Sequence, residues 1–412
     1  MDRWILHCDM NSFFASVELL AHPALWDQPV AVGGNPKDRR GIILAKNEAA
    51  KKYGIKTAET IWSAKQKCPQ LILLPPHHEK YEEYCSRINS IYLRYTDLVE
   101  PFSIDESWLD VTGSLDHFKR SAVQLADEIR RVVKEETGLT LSAGVSFNKI
   151  FAKMGSEYKK PDATTLIDRS NYRDILWPMP VRELFFVGAV TAEKLRNMNI
   201  LTIGDLAQSD PGFLTVSLGK HGSQLYAYAN GLDDDPVARY QEHRAYKSVG
   251  NGITFKRNLV GRGDVRTAIK ALSDRVAGRL RSHGLRCSGV KLDIKDPDFR
   301  VITRQLQLSH PTDLSSEIQH AAMELIEKNW RFEDPIRLLT VTAINLSDEQ
   351  TDEQLSFDTM KEPSEAQDRA VEETLDSIRK KFGRYAVVSG GLLGNDLGIS
   401  DGRQDEIEYE ER

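Results

Sequence analysis

Two adjacent acids at a tight turn constrain this chain more than any other feature. Asp105 and Glu106 stand between two short apolar runs, Leu98 to Phe102 and Trp108 to Val111, which read as an antiparallel strand pair. Neighbouring like charges on a hairpin are costly unless a cation answers them. Upstream, Trp4 to Cys8 is a short apolar run ending at Asp9, and it reads as a buried strand. Phe13, Phe14, Val17, Leu19 and Leu20 then recur near helical spacing. The pattern predicts helices over about 79–95 and 114–136, a strand over Leu139 to Val145, and a helix from Asn148 to about Tyr158. Strand, helix, strand, strand, helix, strand is the split βαβ, ferredoxin-like order. Short strands at Val30-Ala31-Val32, Ile42-Ile43-Leu44 and Leu71 to Leu74, with small helices around 47–53 and 59–67, make residues 11–75 an inserted lobe.

Beyond Lys159-Lys160-Pro161-Asp162 the pattern becomes helical with loops to about residue 235. Residues 236–244 are polar and proline-marked and read as a linker. Residues 245–347 alternate strands with two amphipathic helices, about 263–283 and 313–329, and form a second α+β unit. From Ser347 onward the chain is acidic and mostly polar, with one charged helical stretch near 363–382. The expected class is therefore multidomain α+β, and 412 residues exceed any single small module.

The net charge of −6 hides an asymmetry. Residues 241–304 carry 15 Lys/Arg against 6 Asp/Glu, whereas residues 348–412 carry 8 against 18. A basic block inside an acidic protein suits a polyanionic partner, although two solvated surfaces of opposite sign would look the same. Four scattered cysteines, Cys8, Cys68, Cys85 and Cys287, lack CxxC spacing and argue against a zinc site or a disulfide framework. They fit a reducing cytosol. No apolar run reaches the ~18 residues of a membrane span, and the apolar stretch before Asp9 is too short for a signal peptide.

In a ferredoxin-like sheet the first strand and the central hairpin are neighbours, so Asp9, Asp105 and Glu106 should converge at one sheet end. Hard carboxylate ligands favour Mg²⁺ held jointly with phosphates. Two such ions about 3.5–4 Å apart would activate an attacking hydroxyl and stabilise the leaving oxygen. Each acid taken alone is also a common turn residue.

Asp9-Met10-Asn11-Ser12-Phe13-Phe14-Ala15-Ser16-Val17-Glu18 and Ser103-Ile104-Asp105-Glu106-Ser107-Trp108-Leu109-Asp110 resemble the two metal-site motifs of Y-family DNA polymerases, most closely the bacterial DinB-type (DNA polymerase IV) branch. Ala143-Gly144-Val145-Ser146-Phe147-Asn148-Lys149-Ile150-Phe151-Ala152-Lys153, ending in Lys160-Pro161, and Lys247-Ser248-Val249-Gly250 match in family order. The resemblance implies a palm at 1–10 and 76–165, fingers at 11–75, a helix-hairpin-helix thumb at 166–235 and a little finger at 245–347, followed by an acidic tail at 348–412. It implies that Asp9, Asp105, Glu106 and the Met10 carbonyl hold two Mg²⁺ ions. Asn11, Ser12, Phe13 and Phe14 would lie at the dNTP, with backbone N–H groups near a helix start facing phosphate. Phe14 would be the steric gate against a ribose 2′-hydroxyl, while Phe13 also reads as core. Asp110 reads as structural, and Lys160 as a mobile charge for the triphosphate.

Family members often carry Thr, Tyr and Arg where this chain has Ala45, Glu48 and Lys51. Glu48 is expected to turn away from phosphate, with Lys46 or Lys51 supplying the lost charge; both lysines also read as a solvated helix face. In the thumb, Gly188, Val190 and Lys194 would meet DNA phosphates, and Phe186 replaces the usual first glycine, which predicts an altered turn. Leu218-Gly219-Lys220-His221-Gly222 is a second, weaker backbone contact. Lys247, Lys256, Arg257 and Arg262 would line the primer-template backbone. Gln354, Leu355, Ser356 and Phe357 resemble the peptide that docks on the bacterial sliding clamp.

The resemblance thus implies a monomeric, cytoplasmic, nucleoid-associated translesion polymerase with low fidelity and no proofreading. Two other classes stay open on the residues alone: a non-catalytic DNA- and clamp-binding homologue, and a palm-type nucleotide cyclase.

Overall fold

Side-chain alternation in Ile5-Leu6-His7-Cys8-Asp9-Met10 organises the first half of the molecule. In the computed structural model, which describes residues 3–34, 41–240, 246–348, 363–383 and 385–400, this run is strand β1 (Ile5–Met10), buried throughout. Leu6, Cys8 and Met10 enter a large apolar core, while Ile5 meets Trp108, Ala152 and Val237 on the other face. Period-two alternation puts His7 and Asp9 on that second face with Ile5.

Helix α1 (Phe13–Leu19) follows, then an inserted lobe of β2 (Val30–Gly33), β3 (Ile43–Lys46), α2 (Glu48–Lys51), α3 (Ile61–Lys67) and β4 (Ile72–Leu74), with sheet order β3-β2-β4. Asn47 caps α2 and also accepts from the Val30 N–H at 3.0 Å, so one side chain ties helix to sheet. The chain then returns through α4 (His78–Tyr92), the hairpin β5 (Val99–Pro101) and β6 (Glu106–Asp110), α5 (Leu115–Phe118), α6 (Ala122–Thr137), β7 (Leu141–Ser146), α7 (Lys149–Tyr158) and β8 (Thr164–Ile167). The sheet order is β5-β6-β1-β7-β8. Its first four strands have the ferredoxin-like arrangement, with β1 antiparallel to both β6 and β7.

Two elements differ from the sequence reading. The single helix expected over 114–136 is broken at Lys119, whose φ is 51°, and restarts at Ser121, where a capping box with Gln124 satisfies the first-turn donors. A fifth strand, β8, lies where a helical pattern was read; it runs parallel to β7 through the α7 crossover. The β-branched Thr164, Thr165 and Ile167 explain it.

Glycine lets α7 lie directly on this sheet. A Cβ on Gly144 of β7 would fall 1.8 Å from the Ala152 carbonyl oxygen, and one on Gly155 would meet the Gly144 Cα at 3.1 Å. Asn148 caps α7, and the buried Lys149–Glu100 pair, 2.6 Å apart, pins its first turn to the hairpin.

Short helices α8 (Tyr172–Leu176), α9 (Ala189–Asn197), α10 (Ile203–Gln208), α11 (Pro211–Leu218) and α12 (Lys220–Ala229) share one apolar core. The first part of the expected linker is packed rather than free: Val237 is buried, and the Ala238 N–H donates to Glu100 at 2.9 Å. This first compact unit comprises Met1–Gly34 and Ile42–His243.

Arg244 onward belongs to the second unit. Strands β9 (Ser248–Leu259), β10 (Leu285–Lys295), β11 (Val301–Thr312) and β12 (Ile336–Asp348) form an antiparallel sheet in the order β11-β10-β12-β9, with α13 (Gly261–Ser282) and α14 (Ser315–Asn329) packed on it. The charged helix expected near 363–382 forms, and it is packed on the unit. Helix α15 (Pro363–Phe382) docks on this unit: Arg281 pairs with Glu372 and Asp376, Arg369 with Asp313, and Arg379 with Asp274. Residues 385–400 then send Leu392, Leu397 and Ile399 into the unit's core, and the Lys256 N–H of edge strand β9 donates to the Leu397 carbonyl at 2.8 Å. Composition alone could not show this, because the acids are matched by arginines far off in sequence. No helix among the described residues is long and apolar enough to cross a membrane.

Leu397→Ala should destabilise the second unit by about 2–5 kcal/mol in denaturant unfolding. A change under about 0.5 kcal/mol, typical of a surface site, would show that this segment does not pack as described.

Candidate active site

The register of β1 and β6 places Asp9 directly opposite Glu106. Helix α7 lies over the same face and adds a third acid, so that ligand oxygens of Asp9, Glu106 and Glu157 all fall within 4.8 Å of one another. Two lysines answer this charge. Lys160 Nζ lies 2.8 Å from Asp9 Oδ2 and 2.7 Å from Glu157 Oε1, and Lys153 Nζ lies 2.5 Å from Glu106 Oε2. His7 is fully buried behind them, with Nε2 3.4 Å from Glu106 Oε2 and Nδ1 sharing a 2.7 Å hydrogen bond with Ser156 Oγ.

The carboxylates respond in opposite directions. Burial, reinforced by Glu157 and Glu106, pushes Asp9 up to about 8 in spite of Lys160. Burial opposes ionisation of Glu106 too, yet the bonds to His7 and Lys153 bring it down to about 2. Burial takes His7 down to about 4, so it is neutral near pH 7. Three carboxylates converging at one half-buried corner offer the hard oxygen donors that a divalent cation takes. The donor set therefore fits the metal expected there.

Asp105 reaches the corner but not the cluster. Its carbonyl accepts from the Met10 N–H at 3.1 Å, while its carboxylate accepts from Ser103 Oγ at 2.6 Å. Burial and the neighbouring Glu106 raise its pKa. Glu157, which sequence reasoning missed together with Lys153 and His7, takes the third place. A signal existed: Lys153 and Glu157 stand four apart, on one face of a helix otherwise rich in buried residues.

The remaining expectations divide. Asn11 is fully engaged in bracing, with Nδ2 donating to Ser142 Oγ and Oδ1 accepting from Thr140 Oγ1 and the Asp162 N–H. Its side chain is thus not available to a nucleotide. Phe13 is buried in the core, leaving only its backbone. Phe14 is half-buried and stacks on Tyr81 with centroids 4.0 Å apart, and Tyr81 is tethered through its hydroxyl to the buried Glu18 at 2.5 Å. Ser12 adopts φ 51° at the start of α1. Its Oγ donates to Glu48 at 3.2 Å, and Lys51 Nζ meets the same Glu48 oxygen at 2.5 Å. Glu48 therefore faces Ser12 instead of turning away, because Lys51 and the serine hydroxyl both satisfy it. Lys46 donates to Thr57 at 2.9 Å. Asp110 accepts from the Thr112 N–H and hydroxyl, a turn role.

In the thumb, Gly188 caps α9 with open space around it, and Val190 and Lys194 are exposed. At this turn Phe186 adopts a glycine-like φ of 71°, its ring packed on Phe185 at 4.0 Å. In the second unit Lys247 and Lys256 are exposed. Arg257 is held by Asp264 at 2.5 Å and Asp396 at 2.7 Å, and Arg262 by Glu327 at 2.5 Å. Gln354, Leu355, Ser356 and Phe357 lie outside the described residues.

Comparison with known proteins agrees with this geometry. The model of the impB/mucB/samB family matches residues 8–157, that of its C-terminal domain residues 246–357, and the IMS family HHH motif residues 169–200. The chain belongs to the impB/mucB/samB family. Its relatives in that family include DNA polymerase IV of Acetivibrio thermocellus, 45% identical over 403 residues that span 97% of this chain and 100% of the relative. DNA polymerase IV 1 of Bacillus subtilis strain 168 is 38% identical over 95% of this chain and 93% of its own. A solved Y-family DNA polymerase chimera superposes with a TM-score of 0.73 at 23% identity, covering 83% of this chain and 98% of the chimera. The likeness to proteins named DNA polymerase IV thus extends along nearly the whole chain, and the fold of the Y-family chimera covers 83% of it.

Proposed function

We infer that this family member is a DNA-directed DNA polymerase, and we propose that it performs translesion synthesis, adding dNTPs to a primer 3′ end. The observation that carries the reading is the Asp9–Glu106 pair, registered across two strands of a ferredoxin-like palm, in a chain so similar to proteins named DNA polymerase IV. Asp9, Glu106, the Met10 carbonyl and Asp105, once its carboxylate leaves Ser103, would hold two Mg²⁺ ions. Bound there, the ions would supply activation of the primer hydroxyl and neutralisation of the leaving pyrophosphate.

The chain's own residues do the positioning. Lys160 guards Asp9 and is a mobile point charge, suited to move from carboxylate to triphosphate. Backbone N–H groups of Ser12, Phe13 and Phe14 face the phosphates, and Lys51, next to Ser12 through Glu48, supplies charge with Lys46. Phe14 presents a ring made rigid by Tyr81, which suits a steric gate against ribose. The thumb hairpin at Gly188, Val190 and Lys194, with Lys247, Lys256, Arg257 and Arg262, serves the DNA backbone without reading sequence. The small fingers lobe offers few bulky residues to check the nascent pair, which favours low fidelity. No exonuclease motif is present in the sequence, so proofreading is not expected. Residues Gln354 to Phe357 would tether the enzyme to a sliding clamp.

Primer extension with Mg²⁺ on undamaged and lesion-bearing templates tests this directly. Asp9→Ala or Glu106→Ala should reduce extension by at least about 100-fold while primer-template binding survives. Wild-type protein that binds DNA but adds no nucleotide would make it a non-catalytic homologue. Phe14→Ala should raise ribonucleotide insertion at least about 10-fold relative to dNTP; unchanged sugar selectivity would remove the gate.

A further inference from the structure

Lys153 occupies a place that no step above uses. Its Nζ lies 2.5 Å from Glu106 Oε2, and its stem passes the rings of Phe102 and Phe185, with Nζ 5.5 and 5.2 Å from their centroids. Phe102 and Phe185 are themselves in edge contact at 5.7 Å, so the lysine reaches the acid past an aromatic wall. Its helix is fixed from three sides: the Asn148 cap, the Lys149–Glu100 pair and the Gly144–Gly155 crossing. His7 Nε2 approaches the same Oε2 from β1 and has no hydrogen-bond partner of its own.

The ammonium and the imidazole therefore converge on one oxygen of Glu106, Oε2. We propose that Lys153 is a positioning residue: by occupying Oε2 it makes Glu106 a one-oxygen ligand and fixes which face of the carboxylate the cation meets. The inference rests on the polymerase reading for its kinetic consequence, but its metal-binding consequence stands without it.

Two effects of removing the ammonium oppose each other. Loss of a positive charge beside the acids favours a divalent cation. Loss of orientation frees Glu106 to bind through both oxygens, and partners that orient a metal ligand typically matter 10–100-fold for affinity or activity. A positioning role predicts that these effects separate. Of the two groups at Oε2, Lys153 is the close one at 2.5 Å, and His7 Nε2 at 3.4 Å makes no hydrogen bond, so charge governs affinity and orientation governs turnover.

The test uses Mn²⁺ alone as the probe, with full-length protein. Lys153→Met should bind Mn²⁺, measured by electron paramagnetic resonance, about 3-fold or more tightly than wild type. Its kcat in primer extension should fall about 10-fold or more, with KM for dNTP changed less than about 3-fold. Lys153→Arg, which keeps the charge and a donor, should recover most of both values. Unchanged kcat in Lys153→Met would overturn the proposal. So would weaker Mn²⁺ binding with a lowered Tm, the pattern of a merely structural lysine. Wild-type protein inactive on primer-template would sink the polymerase reading instead, and Mn²⁺ binding to Lys153→Met no tighter than to wild type would then still overturn the proposal.

Discussion

Three carboxylates crowded into a half-buried corner cannot all ionise without company. At an effective dielectric of about 20, two unit charges near 5 Å repel by about 3 kcal/mol. Lys153 and Lys160 supply the missing charge, and burial leaves Asp9 holding a proton well above the usual carboxylate range. Much of the first unit can be understood as the scaffold of that corner. The β1–β6 register sets Asp9 against Glu106. The glycine crossing lets α7 come close enough to contribute Lys153 and Glu157. On the proposed reading, Lys160 is the group that a divalent cation or a triphosphate would draw away from Asp9 and Glu157, while Lys153 stays on Glu106.

The same logic runs through the second unit with the signs reversed. Its basic block is not a bare cationic face, because the acidic segment that follows folds back on it. Glu372 and Asp376 take Arg281, a well-buried guanidinium, and Asp396 joins Asp264 at Arg257. These pairs matter mainly by keeping half-buried arginines from standing alone. They also divide the block: Lys247, just before β9, and Lys256 on it remain exposed, while Arg257 would have to exchange carboxylates for phosphates if it is to meet DNA as proposed. Exposed pairs of this kind are weak, so such exchange is energetically accessible.

The sequence was most legible where structure is local. The strand ending at Asp9, the hairpin carrying Asp105 and Glu106, and the alternation of strands with two helices in the second unit follow from periodicity and turn chemistry. It was least legible where remote segments meet. Glu157 joins Asp9 only because two glycines permit a close helix–sheet crossing, and neither residue signals the other along the chain. Leu392, Leu397 and Ile399 lie in a glycine-rich stretch of a segment that is acidic overall, and their docking on the second unit makes them core residues. Glu48 was expected to turn away from phosphate on charge alone, whereas it faces Ser12 with Lys51, three residues on, on the same oxygen. Family resemblance supplied the roles of Asp9, Glu106 and Phe14, but could not tell that Asp105 would rest on Ser103.

The most direct measurement is anomalous diffraction from crystals of the chain with a dideoxy-terminated primer-template, an incoming dNTP and Mn²⁺. Manganese peaks within coordination distance of Asp9 and Glu106, with Lys160 moved from Asp9 to the triphosphate, are the predicted result. Peaks elsewhere, with Lys160 still bonded to Asp9 and Glu157, would contradict a catalytic metal centre at this corner.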